Sequence, residues 1–125
     1  MKRKRPKLEY GIFCEVYGKN IRNLVIEFLV ENQGVEFAIG DMAKELNISR
    51  PKAYEKIDEF EKKDLVKKSR IVSGTQLYLL NEKNRISKLW IKNFKECLKI
   101  VIEESEEKPN YSASSSISTI SAKGF

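Results

Sequence analysis

Apolar residues early in the chain recur at helical spacing, with Ile21, Leu24, Val25, Phe28 and Leu29 at i, i+3, i+4, i+7 and i+8. That stripe predicts a helix over 19–32, opened by Asn20 as N-cap and followed by Gly34 at the left-handed position beyond its end. The period then changes. Val35, Phe37 and Ile39 alternate with Glu36 and Ala38, the pattern of a short strand, and Gly40 breaks it. Asp41 to Leu46 reads as a short helix with Met42, Ala43 and Leu46 inward, Asp41 at its positive end and Asn47 in the left-handed turn that closes it.

A second helix opens at Ser49 or Arg50, with Pro51 in the first turn, where a missing amide proton costs nothing. Its inner face is Ala53, Ile57 and Phe60, spaced i, i+4 and i+7, which leaves Arg50, Lys52, Tyr54, Lys56 and Glu59 to face elsewhere. From Leu65 the pattern turns extended. Val66 to Val72, a turn at Ser73, Gly74 and Thr75, and Gln76 to Leu80 read as a β-hairpin around a glycine-containing loop. Asn81 and Asn84 are candidate caps for a last helix over 83–108.

On a helical wheel that last helix gathers Lys88, Lys92, Lys95, Glu96, Lys99 and Glu103 in a polar arc of about 100°, leaving apolar residues over about 220° opposite. One packing contact needs roughly half of that arc. The surplus predicts a two-fold homodimer through Ile86, Trp90, Asn93, Phe94, Cys97 and Val101, with Asn93 fixing register. The alternative is that Leu8, Tyr10, Ile12, Phe13, Val16 and Tyr17 cover the second face within one chain, and the two can coexist.

Helix, short strand, short helix, turn, helix, hairpin and long helix make the element order of a winged helix-turn-helix. The expected fold class is mainly α with a small β-hairpin. The stretch "IGDMAKELNISRPKAYEKIDEFEKKDLVKK", followed by "RIVSGTQLYLLNE", resembles the small archaeal-type winged helix-turn-helix transcriptional regulators and, more loosely, the MarR, ArsR and PadR groups. The resemblance runs from Asn20 to Glu82. It implies a DNA-binding domain over 19–82, with the recognition helix at 49–61, the wing within the hairpin 66–80, and no enzymatic chemistry. The chain departs from the pattern at Asp64, where those families place a glycine at the end of the recognition helix. Asp can visit the left-handed region at some cost, so the fold assignment survives.

Charge sharpens this picture through its placement. Of a formal net charge of +6 over 125 residues, Lys2, Arg3, Lys4, Arg5 and Lys7 supply +5 in the first seven positions. The region 1–18 therefore reads as a basic arm and lead-in, either a solubilising end or a contact for phosphate. Residues 50–80 hold 8 basic and 5 acidic side chains, whereas 15–49 hold 3 and 6, so the domain's own positive charge gathers on the second helix and the hairpin. Arg50 and Lys52 in the first turn, and Tyr54 and Lys56 one turn on, are the residue types that reach base edges or phosphates in a major groove. Ser49 caps the helix and is placed to reach a phosphate. Against this stands the ordinary expectation that any surface helix carries charge on its outer face, and Glu55, Asp58, Glu59 and Glu61 share that face. On the hairpin, Arg70 is the foremost candidate, with Ser73, Gly74 and Thr75 at a tip that can approach a backbone closely. Lysines there also guard an edge strand.

The remaining composition mostly excludes. Histidine is absent, which removes the commonest general base and zinc ligand and leaves no match to the sensor positions of metal-responsive relatives. Cys14 and Cys97 are two isolated thiols expected in a reduced core. No apolar run approaches the roughly 20 residues of a membrane span, and residues 109–125 form a Ser-rich tail expected to be disordered. The expected partners are double-stranded DNA and a second copy of the chain, with no cofactor, no membrane, no specified effector and a cytoplasmic, nucleoid-associated setting. Two rivals use the same fold: a DNA-coating or plasmid-partition adaptor, and a winged-helix module that docks on another protein.

Overall fold

The computed structural model describes residues 10–110; the basic arm at Lys2, Arg3, Lys4, Arg5 and Lys7 and the Ser-rich stretch from 111 onward lie outside the described residues. The elements run α1 (Ile12–Tyr17), α2 (Ile21–Glu31), β1 (Phe37–Ala38), α3 (Ile39–Leu46), α4 (Arg50–Lys62), β2 (Val66–Val72), β3 (Thr75–Leu80) and α5 (Arg85–Asn110). This is the expected class: helices around a small antiparallel sheet of order β1-β3-β2, with a long last helix.

Asn20 caps α2 as its sequence position predicts, its side-chain oxygen accepting from the Asn23 amide at 2.8 Å. The helix buries more than one stripe, however. Leu24, Val25, Ile26, Glu27, Phe28, Leu29 and Val30 are all buried, because α2 is the central element, with α1, α3, α4, α5 and β3 packed around it. The strand at 35–39 shrinks to Phe37–Ala38, which pairs with Tyr78 and Leu77. Ile39 already belongs to α3, so Gly40 lies in the first turn of that helix instead of ending a strand.

The turns that end α3 and α4 are each made by a non-glycine residue with positive φ. Asn47 (φ 60°) closes α3, with the Ile48 amide bonded to the Ala43 carbonyl at 3.0 Å. Asp64 (φ 63°) does the same after α4, where the Leu65 amide returns to the Phe60 carbonyl at 2.8 Å. Asp64 thus takes the conformation that a glycine would adopt more cheaply. Its carbonyl accepts from the side-chain amides of Asn81 (2.9 Å) and Asn84 (3.2 Å), which ties the end of α4 to the start of α5. Asn84 is also the cap of α5, accepting from the Ile86 amide at 2.7 Å.

The hairpin turn has only Ser73 (φ 50°) and Gly74 (φ 79°) between the strands, a left-handed pair that matches the twist of a two-residue hairpin. Thr75, placed in the turn by its sequence context, is instead the first residue of β3 and pairs with Val72.

Trp90 and Cys97, expected at a dimer surface, are buried within this chain. The indole packs edge-on against Phe60 with centroids 5.3 Å apart, and α5 lies against α1 and α2. Phe94 packs partly buried against the same core, so the short α1 covers part of the second apolar face of α5. Ile86 and Val101 stay exposed, as do Leu89 and Ile102 on α5 and Val16 and Tyr17 on α1.

The tether for α1 is Glu27. The residue is 4% exposed, and its carboxylate accepts from the Gly11 amide at 2.9 Å, the Phe13 amide at 3.0 Å and the Cys14 thiol at 3.7 Å. Gly11 is required there, since a Cβ would stand 2.4 Å from a Glu27 carboxylate oxygen. Burial, with the nearby Glu27 charge, pushes the Cys14 thiol up to about 12, so it remains a neutral donor. Both cysteines are free and buried. Replacing Glu27 with Gln leaves one side-chain oxygen for the two amides and should cost about 1–3 kcal/mol. Denaturant unfolding would measure that loss, and faster hydrogen exchange at Gly11 and Phe13 would place it.

Candidate nucleic-acid interface

Of the side chains read from the sequence as candidates, Ser49, Arg50, Lys52, Tyr54 and Lys56 lie on the amino-terminal half of α4 and its cap, and Arg70, Ser73, Gly74 and Thr75 on the hairpin beside it. Ser49 Oγ accepts from the Lys52 amide at 3.2 Å, fixing the start of α4. Ala53, Ile57 and Phe60 root the helix in the core, each with essentially no exposure. At 100° per residue the outward side chains then leave on two flanks. Arg50 and Tyr54 face the hairpin, where with Gly40, Asp41, Thr75 and Tyr78 they line an open cleft of about 370 Å³. Lys52 and Lys56 leave from the other flank.

Lys56 does not join Arg50 on one face. It is largely covered and pairs with Glu59 at 3.8 Å, and Glu59 also takes Arg22 of α2 at 3.3 Å and Lys63 at 3.9 Å. Three residues beyond Ala53, Lys56 leaves the helix beside the α2 contact. Lys52 stays exposed, 3.6 Å from Glu55. Tyr54 is half exposed. Arg50 turns back over α3, where a Cβ at Gly40 would stand 2.4 Å from its Nη2.

On the hairpin, strands β2 and β3 shift register between Lys68 and Ile71, so Ser69 and Arg70 form a bulge opposite Leu77. The bulge aims both side chains at Glu36, just before β1. Arg70 Nη2 lies 2.9 Å from one carboxylate oxygen and its Nε bonds both, while the Ser69 hydroxyl donates to the same carboxylate. The exposed Arg70 is therefore held in an ion pair and does not project freely. These hydrogen bonds, Arg70's foremost, hold the Glu36 carboxyl below its ordinary 4.5. Ser73, Gly74 and Thr75 are exposed at the tip, and nothing lies within 4 Å of a Cβ on Gly74.

Several residues here escape a reading of the sequence. Glu36 looks like the polar half of a strand alternation, and Gly40 like a strand breaker. Tyr78, one position in the expected strand from Gln76 to Leu80, packs partly buried against the core and also borders the cleft; burial, with Glu61 nearby, pushes its pKa up and keeps it neutral. Ile71 and Val72 leave two apolar side chains in solvent on the hairpin, where β2 is exposed at every residue after Val66, a feature that no periodicity announces. Among the described residues no group of three or more His, Cys, Asp or Glu could hold a metal ion, and no helix is long and apolar enough to cross a membrane.

No family model matches the chain, and no curated protein sequence is similar to it. Seven solved chains do match in structure. A mutant of Lactococcus lactis ZitR in its apo form superposes with a TM-score of 0.55 at 18% identity, over 82% of this chain and 76% of that one. The fold is a winged helix-turn-helix. The adhesin competence repressor of Streptococcus pyogenes matches with a TM-score of 0.51 at 14% identity, over 86% and 78% of the two chains. A protein of Methanosarcina mazei described as a possible transcriptional regulator matches with a TM-score of 0.50 at 16% identity, over 79% and 86%. In this winged helix-turn-helix, α3 and α4 are the two helices of the motif and β2–β3 is the wing.

The Glu36–Arg70 clamp makes a prediction of its own. Because the folded-state pKa of Glu36 is lowered, the clamp's contribution is present above the ordinary value of 4.5 and is lost as pH falls through the folded pKa. In a carboxyl-carbon NMR titration Glu36 should titrate below 4.5, and an Arg70→Ala variant should bring it back toward that value.

Proposed function

We propose that this chain is a sequence-specific double-stranded DNA-binding transcriptional regulator that acts as a homodimer in the cytoplasm, associated with the nucleoid. One observation carries the reading. Helix α4, with Arg50 and Tyr54 on one flank and Lys52 on the other, stands beside a two-residue hairpin tip, so a helix suited to a major groove and a ribbon suited to the adjacent groove are offered on one side. The likeness in fold to a repressor and to a possible transcriptional regulator supports the same role. Ser49, Arg50, Lys52 and Tyr54 would serve the helix contact, and Ser73, Gly74 and Thr75 the wing. Arg70 would act once drawn from Glu36. No residue is assigned to catalysis, and no cofactor is needed.

The case for the homodimer rests on α5. Trp90 and Cys97 occupy the inner face of that helix, and Val101, one further turn along the same stripe, is exposed. Ile86 and Leu89 at its start add exposed apolar surface that a two-fold mate would cover, setting two recognition helices on half-sites about 34 Å apart.

Selection of bound duplexes from a random pool should return a two-fold symmetric site. No enrichment over the starting pool would end the reading. A double variant with Ile86 and Leu89 both changed to Asp should sediment at the 14.5 kDa of one chain and bind that site about 100-fold more weakly, because the two half-sites no longer act together. Removing residues 1–7 should weaken all duplexes alike and flatten the dependence of affinity on salt, since log K falls with log salt by about 0.9 for every phosphate the protein neutralises. An unchanged slope would mean that the arm neutralises no phosphate.

A further inference from the structure

The cleft between α4 and the wing has a consequence for what Arg50 touches. Adjacent major and minor grooves of a duplex are separated by one sugar-phosphate strand. A duplex that takes α4 into its major groove and the Ser73–Gly74 tip into the neighbouring minor groove must pass that strand between them, through the space bordered by Arg50, Tyr54, Gly74, Thr75 and Tyr78. We propose that this cleft is a binding site for a backbone phosphodiester of that strand, with Arg50 as its ligand and not as a reader of base edges. The inference rests on the duplex-binding role argued above.

Three observations support it. First, Lys52, Lys56, Lys62 and Lys63, the other cations of α4 and its C-cap, each lie within 4.0 Å of an acid, at Glu55, Glu59, Asp58 and Glu59. Arg50 makes no ion pair or hydrogen bond among the described residues, so its guanidinium alone is uncommitted. Second, Arg50 precedes Ala53 by three residues and so leaves α4 only about 60° from the buried direction, whereas Pro51 and Glu55 stand about 160° away on the crest that enters a groove. Third, the space for this orientation comes from Gly40. A Cβ there would stand 2.4 Å from Nη2 and oblige the flexible end of Arg50 to shift from this position, while the backbone of Gly40 itself is ordinary helix.

Tyr54 and Thr75 line the same cleft, and their hydroxyls, without a hydrogen-bond partner among the described residues, would supply further donors to a phosphate oxygen. The Gln76 side-chain amide is already committed to the carbonyls of Arg70 and Leu77, which fixes the wing side of the cleft. Among the described residues Asp41 is the one carboxylate on the rim. It forms no ion pair with Arg50, so its charge reduces the attraction for a phosphate without occupying the guanidinium.

The test compares the full chain with Arg50→Ala, Arg50→Lys and Gly40→Ala on the selected duplex and on a scrambled duplex of equal length, across a range of salt. Arg50→Ala should weaken both duplexes by the same factor, about tenfold for one charge-assisted contact, and lower the salt slope by about 1. Arg50→Lys should restore the slope. Gly40→Ala keeps the charge and suits a helix, and it should weaken both duplexes by a common, smaller factor. A loss confined to the selected duplex, with relaxed preference at one base pair and an unchanged slope, would make Arg50 a base reader and overturn the proposal. Wild-type behaviour of Gly40→Ala would overturn the seat assigned to the guanidinium. Failure of the wild-type chain to bind either duplex at low salt would remove the duplex-binding role itself, and this site with it.

Discussion

Phe60 is the side chain on which the outer surface of this domain depends. Its ring has no exposure and is met edge-on by Trp90 of α5, while the Arg22 guanidinium of α2 lies 5.2 Å from its centroid. Its carbonyl receives the Leu65 amide as the chain turns from α4 into β2. One residue therefore sets how α4 lies on α2, where α5 crosses and where the wing begins. The candidate side chains of α4 are useful only because this anchor, with Ala53 and Ile57, leaves the opposite side of the helix in solvent.

Charge in this protein is informative where it is unmatched. Most lysines of α4 are neutralised by acids one turn away, and Arg70 is held by Glu36. Exposed pairs of this kind contribute little stability. Their effect is to set which cations remain available to another molecule. The total of +6 is silent on that question, because an ion pair across 34 residues of sequence, such as Glu36 with Arg70, is visible only once the hairpin is folded against β1.

Local chemistry made much of the fold readable beforehand. Asn20, Ser49, Pro51 and Asn84 mark helix starts through rules that operate within a few residues, and the spacing of Ala53, Ile57 and Phe60 fixes the inner face of α4. The features that escaped are those set by distant partners. Phe37 and Ala38 are the only strand at 35–39 because they alone find partners on β3, and Ile39 and Gly40 pass to the helix that follows. Glu27 looks like a polar interruption in an apolar helix until the amides of Gly11 and Phe13 are brought to it. At the site, the element order placed α4 and the β2–β3 hairpin side by side. The flank taken by each side chain depended on which neighbour the helix met, and this separated Lys56 from Arg50.

The length of α5 gives its seat mechanical importance. From Trp90, where the helix rests on Phe60, to its last described residue, Asn110, the rise of 1.5 Å per residue makes a rod of about 30 Å. A tilt of about 5° at the indole displaces the far end of such a rod by about 2.6 Å. An adjustment small enough for an aromatic contact to absorb thus becomes a shift of half a helical turn at the tip. The Phe60–Trp90 pair is in this sense the fulcrum of a lever, connecting the angle of α4 to the position of a surface that α4 never touches.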